Sequence, residues 1–125
     1  MPTIIAGSRT IDDKKLIFNK IKSAPFEITE VVSGKAEGVD TIGEEWAKEN
    51  NIPIKEFPYT DYLDEAPKPN IAPLIRNEKM AEYADKLILI WDGSSNGSEN
   101  MKEKAKAKEL KIYEHRTDCS LEEWL

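Results

Sequence analysis

Five short apolar runs lie along the chain at Thr3–Ala6, Glu30–Ser33, Pro53–Phe57, Lys86–Trp91 and Lys111–Glu114. Between them the apolar residues change period. Ile17, Ile21 and Ala24 recur at helical spacing in a stretch that Asp12 is placed to cap and Pro25 stops. Val39, Ile42, Trp46 and Ala47 mark the inner side of a second helix reaching about Asn50, with Asp40 as its expected N-cap. Met80, Ala81 and Ala84 do the same for a helix opened by Pro73, and a fourth helix follows Ser98 and runs to about Leu110. Ser120 with Glu123 reads as a capping box for a terminal turn.

Strands alternating with helices imply right-handed crossovers and a parallel sheet covered on both faces. The predicted fold is therefore α/β, a Rossmann-like doubly wound domain of about five mainly parallel strands spanning residues 1–125. Leu87–Ile90 is an almost unbroken apolar run, as expected of a central strand. Pro53 places the third strand at or near an edge, because proline cannot donate to a ladder. Pro58–Asn70, rich in proline and acid, is a loop longer than most connections.

Composition narrows the function. One cysteine, Cys119, excludes an internal disulfide and a multi-thiolate zinc site, and favours a reducing, cytoplasmic setting. No run approaches a membrane span, and no basic leader precedes an apolar core. A formal charge of −6 disfavours nucleic acid, whose phosphates are bound chiefly by Lys and Arg. The lysines from Lys102 to Lys111 are interrupted by Glu103 and Glu109 and read as a solvated helix face.

Three strand-to-helix turns carry the candidate chemistry: Gly7-Ser8-Arg9, Ser33-Gly34 through Gly38 to Asp40, and Gly93-Ser94-Ser95 through Gly97-Ser98. In a parallel sheet all three fall on one edge. Glycines admit a ligand close to the backbone, and helix N-termini present free N–H groups, an arrangement suited to phosphate. Arg9 and Arg76 supply the planar forks that grip phosphate, and each reads equally as a surface ion pair. Asn77 is a candidate for a base or ribose edge, or a helix-start residue. Trp91 is a candidate stacking platform, although a tryptophan ending a central strand is more often core. Asp40 and Glu44 are candidates for ribose hydroxyls, and His115 reads as a surface residue after the last strand.

Taken in order, these residues resemble the SLOG superfamily, which includes the lonely-guy phosphoribohydrolases, the DNA-processing protein Smf and small stand-alone YpsA-like proteins. The resemblance is closest to the last of these. It rests on Ala6-Gly7-Ser8-Arg9, Ser33-Gly34 with Gly38-Val39-Asp40, Arg76-Asn77 with Met80 and Ala84-Asp85, and Trp91-Asp92-Gly93 through Gly97-Ser98. It implies a nucleotide-like ligand held across the first, second and fourth turns, with sugar and phosphate near the last. In the enzyme branch a Pro-Gly-Gly-x-Gly-Thr-x-x-Glu signature supplies the catalytic glutamate. Laid on this chain, that signature puts Met101 at the glutamate, and a thioether can neither accept a proton nor stabilise a cation on ribose.

The expected function is binding of a nucleotide derivative, such as an ADP-ribose-type signal, for sensing or sequestration. The alternatives are a nucleoside-monophosphate phosphoribohydrolase and an interaction module with an empty pocket. No cofactor or metal is assigned, and association of identical copies is left open.

Overall fold

The computed structural model describes residues 2–117. The elements run β1 (Pro2–Gly7), α1 (Lys14–Ser23), β2 (Glu30–Ser33), α2 (Val39–Glu49), β3 (Ile54–Glu56), α3 (Ala72–Tyr83), β4 (Lys86–Trp91), α4 (Asn96–Ala107) and β5 (Lys111–Arg116). All pairings are parallel and the strand order is β3-β2-β1-β4-β5. The α/β Rossmann-like arrangement predicted from the alternation of periods is therefore the one observed. The chain winds outward from β1 to β3, then crosses to β4 and winds the other way, so strand order reverses between β1 and β4.

Period two along the central strands sorts the core into two layers. Ile4, Val32, Leu87 and Leu89 pack with Met80, Ala81, Met101 and Ala105 of α3 and α4. Ile5, Val31, Ile88 and Ile90 pack with Ile17 and Ile21 of α1 and with Val39, Ile42 and Ala47 of α2. Leu87 through Ile90 have no exposed surface, as a strand covered on both faces requires.

The helix caps depart from the expectations. Asp13, not Asp12, caps α1, its carboxylate accepting from the Leu16 amide at 3.1 Å. Asp40 does not cap α2, because the N-cap is Gly38 at φ 74° and Asp40 lies inside the first turn. A Cβ at Gly38 would lie 2.4 Å from the Ser8 carbonyl oxygen, so both its backbone angle and its surroundings exclude a side chain. Pro58–Asn70 is not structureless: Tyr59–Tyr62 and Pro69–Ile71 form 3-10 turns. His115 lies within β5 rather than beyond it. The Ser120–Glu123 capping box and Cys119 fall outside the described residues. Among the described residues, no helix is long and apolar enough to cross a membrane.

The β1–β4 junction is tightest at Gly7, where a Cβ would sit 1.8 Å from the Ile90 carbonyl oxygen and 2.8 Å from Val39. Gly7→Ala must therefore push the two central strands apart, and we expect it to cost about 3 kcal/mol or more, the upper end of overpacking. A urea titration with a midpoint equal to that of the parent would refute this account of the junction.

Candidate functional site

Carboxyl ends of parallel strands leave a crevice where strand order reverses. Here that crevice, between the turns after β1 and β4, holds a cavity of about 430 Å³, within the range of small-molecule sites. Ala6, Pro73, Leu74, Met80 and Met101 give it an apolar wall, while Arg9, Asp40, Arg76 and residues 95–98 give it a polar one.

The turn into α4 is built around Asp92. Its Oδ1 accepts from the amides of Ser94 at 2.9 Å and Ser95 at 3.0 Å, and the Ser94 bond first, opposed by burial and helped by Ser95, holds the carboxyl below its ordinary range. Ser95 then caps α4, its Oγ accepting from the Ser98 amide at 3.3 Å. The amides of Asn96 and Gly97 precede any intrahelical acceptor, and both residues line the cavity. Ser98 also lines it, and its buried Oγ has no hydrogen-bond partner.

Opposite this turn lie Arg76 and Asp40. Arg76 Nη1 donates to the Gly34 carbonyl at 2.5 Å and Nε donates to Asn77 Oδ1 at 3.0 Å. Burial lowers the guanidinium pKa, the Asp40 charge raises it and the like charge of Arg9 lowers it again; an arginine remains cationic throughout. Asp40 is 5% exposed. Burial raises its carboxyl to about 6, opposed by the charge of Arg76 and by amide donors from Ala36, Gly7 and Gly34. This one carboxylate thus ties the first turn, the second turn and Arg76 together.

The structure divides the residues singled out from sequence. Gly7, Arg9, Asp40, Arg76, Asn77, Ser95, Gly97 and Ser98 line the cavity. Ser8, Ser33, Gly34, Gly38, Trp91, Gly93 and Ser94 do not, and most of these have scaffold work. Ser8 Oγ accepts from the Asp92 amide at 3.0 Å and its backbone joins Ile90 and Val39. Ser33 Oγ donates to Glu44 at 2.6 Å, and Lys35 pairs with the same carboxylate at 3.1 Å, which leaves Glu44 engaged away from any ribose. Trp91 is 4% exposed and belongs to the core. Its Nε1 donates to Glu114, and Lys102 and Arg116 lie over its ring, so it offers no stacking face to the cleft.

Sequence reading passed over Asn70, Leu74 and Asn96 as lining residues. Pro73, Asn77 and Met80 fall on one face of α3 at spacings of four and three, a signal that could have found this wall of the cavity. Among the described residues, no group of three or more His, Cys, Asp or Glu side chains is placed to hold a metal ion. Lysines of α4 and its C-cap meet acids of neighbouring elements: Lys104 and Lys108 bridge Glu78 at 3.1 Å, and Lys102 bridges Glu114 at 2.9 Å.

Residues 1–59 match the family model described as the YspA, cpYpsA-related SLOG family (YAcAr). The resemblance to the SLOG superfamily read from the residues is borne out. The matched stretch carries β1, β2 and α2, hence the first two turns and Asp40. Among solved structures, DNA processing protein A (DprA) from Streptococcus pneumoniae shares the fold, with a TM-score of 0.72 at 20% identity over 90% of this chain. This chain spans 49% of that one. No curated protein matches.

A folded-state carboxyl pKa raised from 3.8 to about 6 means that Asp40 binds its proton more tightly in the fold than in the unfolded chain. The stability this contributes is complete below the ordinary carboxylate value and is lost as pH rises through about 6. Denaturation of parent and Asp40→Asn between about pH 4 and pH 7 should therefore show the parent losing stability relative to the variant. Parallel profiles would place the Asp40 pKa at its ordinary value.

Proposed function

We propose that this protein binds a phosphate-bearing nucleotide derivative in the crevice between β1 and β4 and leaves it chemically intact, as a sensor or sequestering protein. The observation that carries this reading is a convergence on one cavity. Two guanidiniums and the open amides of Asn96 and Gly97 belong to residues that line it, and each is a donor suited to a phosphate oxygen. The apolar wall of Leu74, Met80 and Met101 suits the less polar part of such a ligand. Similarity of residues 1–59 to a SLOG family model supports a nucleotide-related ligand, of which an ADP-ribose-type molecule is one candidate.

Binding is favoured over hydrolysis by the acids at hand. Asp40 is the sole carboxylate among the lining residues, and amide donors together with Arg76 engage it. Met101, where the enzyme branch carries its glutamate, is 1% exposed and packs in the core beside the cavity. A phosphoribohydrolase needs a free carboxylate at the ribose, and these residues offer none.

Calorimetric titration with AMP, ADP and ADP-ribose, followed by chromatography of the mixture, tests the reading. Binding with the ligand recovered unchanged is expected, and release of free base would replace this reading with the hydrolase. Arg9 is exposed, and Arg9→Ala should keep the fold while weakening binding by about ten- to a hundredfold, on the order of 1.5–3 kcal/mol for a charge-assisted contact.

Gly97→Val separates the anion end from the rest of the cavity. A Cβ at Gly97 meets nothing within 4 Å, so the added bulk projects into open space and should abolish binding. The fold should lose about 1 kcal/mol or less, since valine is no worse than glycine in a helix. A folded Gly97→Val protein that binds as tightly as the parent would move the phosphate to the turn at residues 34–38.

A further inference from the structure

Asn77 is 3% exposed, and every polar group of its side chain is committed. Its Oδ1 accepts from Arg76 Nε at 3.0 Å, while Nδ2 donates to the Gly97 carbonyl at 3.2 Å and to Asn100 Oδ1 at 3.0 Å. One amide thus joins α3 to the opening of α4. The far side of the same guanidinium is held by the Gly34 carbonyl. Arg76 is therefore clamped between the turn after β2 and the first turns of α4, and the hydrogen-bonded link from its guanidinium to α4 runs through Asn77.

The residue type matters. The position needs an acceptor facing an arginine and two donors facing oxygens, within reach of a short side chain, and a carboxamide supplies both at once. A carboxylate would accept from Arg76 but present oxygen to two oxygens. An aliphatic side chain of similar size would fill the space and leave the Gly97 carbonyl and the Arg76 Nε without this partner.

We propose that Asn77 is a positioning residue that sets the spacing between the Arg76 guanidinium and the N-terminus of α4, so that both close on a single phosphate group. This rests on the reading that the cleft takes a phosphate. Asn77 does not touch the anion through a free donor, since its donors are spent on α4. Its effect on binding passes through Arg76 on one side and through the Gly97 and Asn100 turn on the other.

The test uses AMP and inorganic phosphate as probes on the whole chain, with calorimetric affinities referred to folded protein. Asn77→Leu should weaken AMP binding about tenfold when Arg76 is present, and less than about threefold in an Arg76→Lys background, where the cation remains but the fork does not. Asn100→Ala, at a half-buried helical position, should weaken it about threefold with little loss of stability. A merely structural Asn77 would lower the melting temperature and leave affinity per folded molecule unchanged, or would cost the same in both backgrounds; either result overturns the proposal. Should Asn77→Leu fail to fold, Asn100→Ala decides, and parental affinity in that variant overturns it. A parent protein that binds neither AMP nor phosphate refutes the anion site itself and the proposal with it, an outcome distinct from a binding parent with an indifferent Asn77.

Discussion

Everything at the carboxyl edge of this sheet depends on how closely β1 approaches β4. The two strands share five register pairs ending at Gly7 and Ile90, and the Ser8 amide continues the contact to the Ile90 carbonyl at 3.1 Å. Because Gly7 has no side chain, the first turn leaves the sheet directly against β4 and the start of α2. Ser8 then reaches both Asp92 and Val39, so one residue locks the turn after β1 to the turn after β4 and to α2. The cavity exists because the chain diverges on either side of that lock.

Inside the cavity, charge is arranged against the character of the whole chain. The protein carries −6 overall, yet its cleft presents two arginines and a helix N-terminus against one carboxylate. Burying Asp40 and Arg76 costs each of them solvation, which is why burial leads the causes acting on both. Neither is left bare: amide donors surround Asp40, and the Gly34 carbonyl and Asn77 hold Arg76. What fixes Arg76 in place is the Gly34 carbonyl and Asn77, while the Asp40 charge acts on it through space.

The two arginines consequently differ in kind. Arg9 is exposed at the rim and reports on ligand contact, whereas Arg76 is bonded to the turn after β2 and, by way of Asn77, linked to α4, so any change there disturbs the frame as well. The α4 end is similarly divided, with Asp92 and Ser95 spending their oxygens on shaping the turn while Asn96, Gly97 and Ser98 face the cavity. Much of the serine and glycine that marks these turns serves to make them tight.

The order of elements, the central position of β4, the two faces of the sheet and the shared edge of the three turns were legible along the chain. Each follows from a local period or a local breaker: the run at residues 87–90, Pro25 after α1, Gly and Ser after each strand. Resemblance likewise pointed to the SLOG superfamily from short motifs alone. What the chain did not reveal is which polar side chains face the cleft and which are consumed by the scaffold. Ser8, Ser33 and Trp91 look like ligand contacts in sequence, but their partners Asp92, Glu44 and Glu114 lie 84, 11 and 23 residues away. Asp40 reads as a helix cap until packing of β1 and α3 against the second turn adds the Gly7 amide and an arginine 36 residues on to the local amides of Gly34 and Ala36. A hydrogen bond across such separations is set by how the layers dock, and only the tertiary structure decides that.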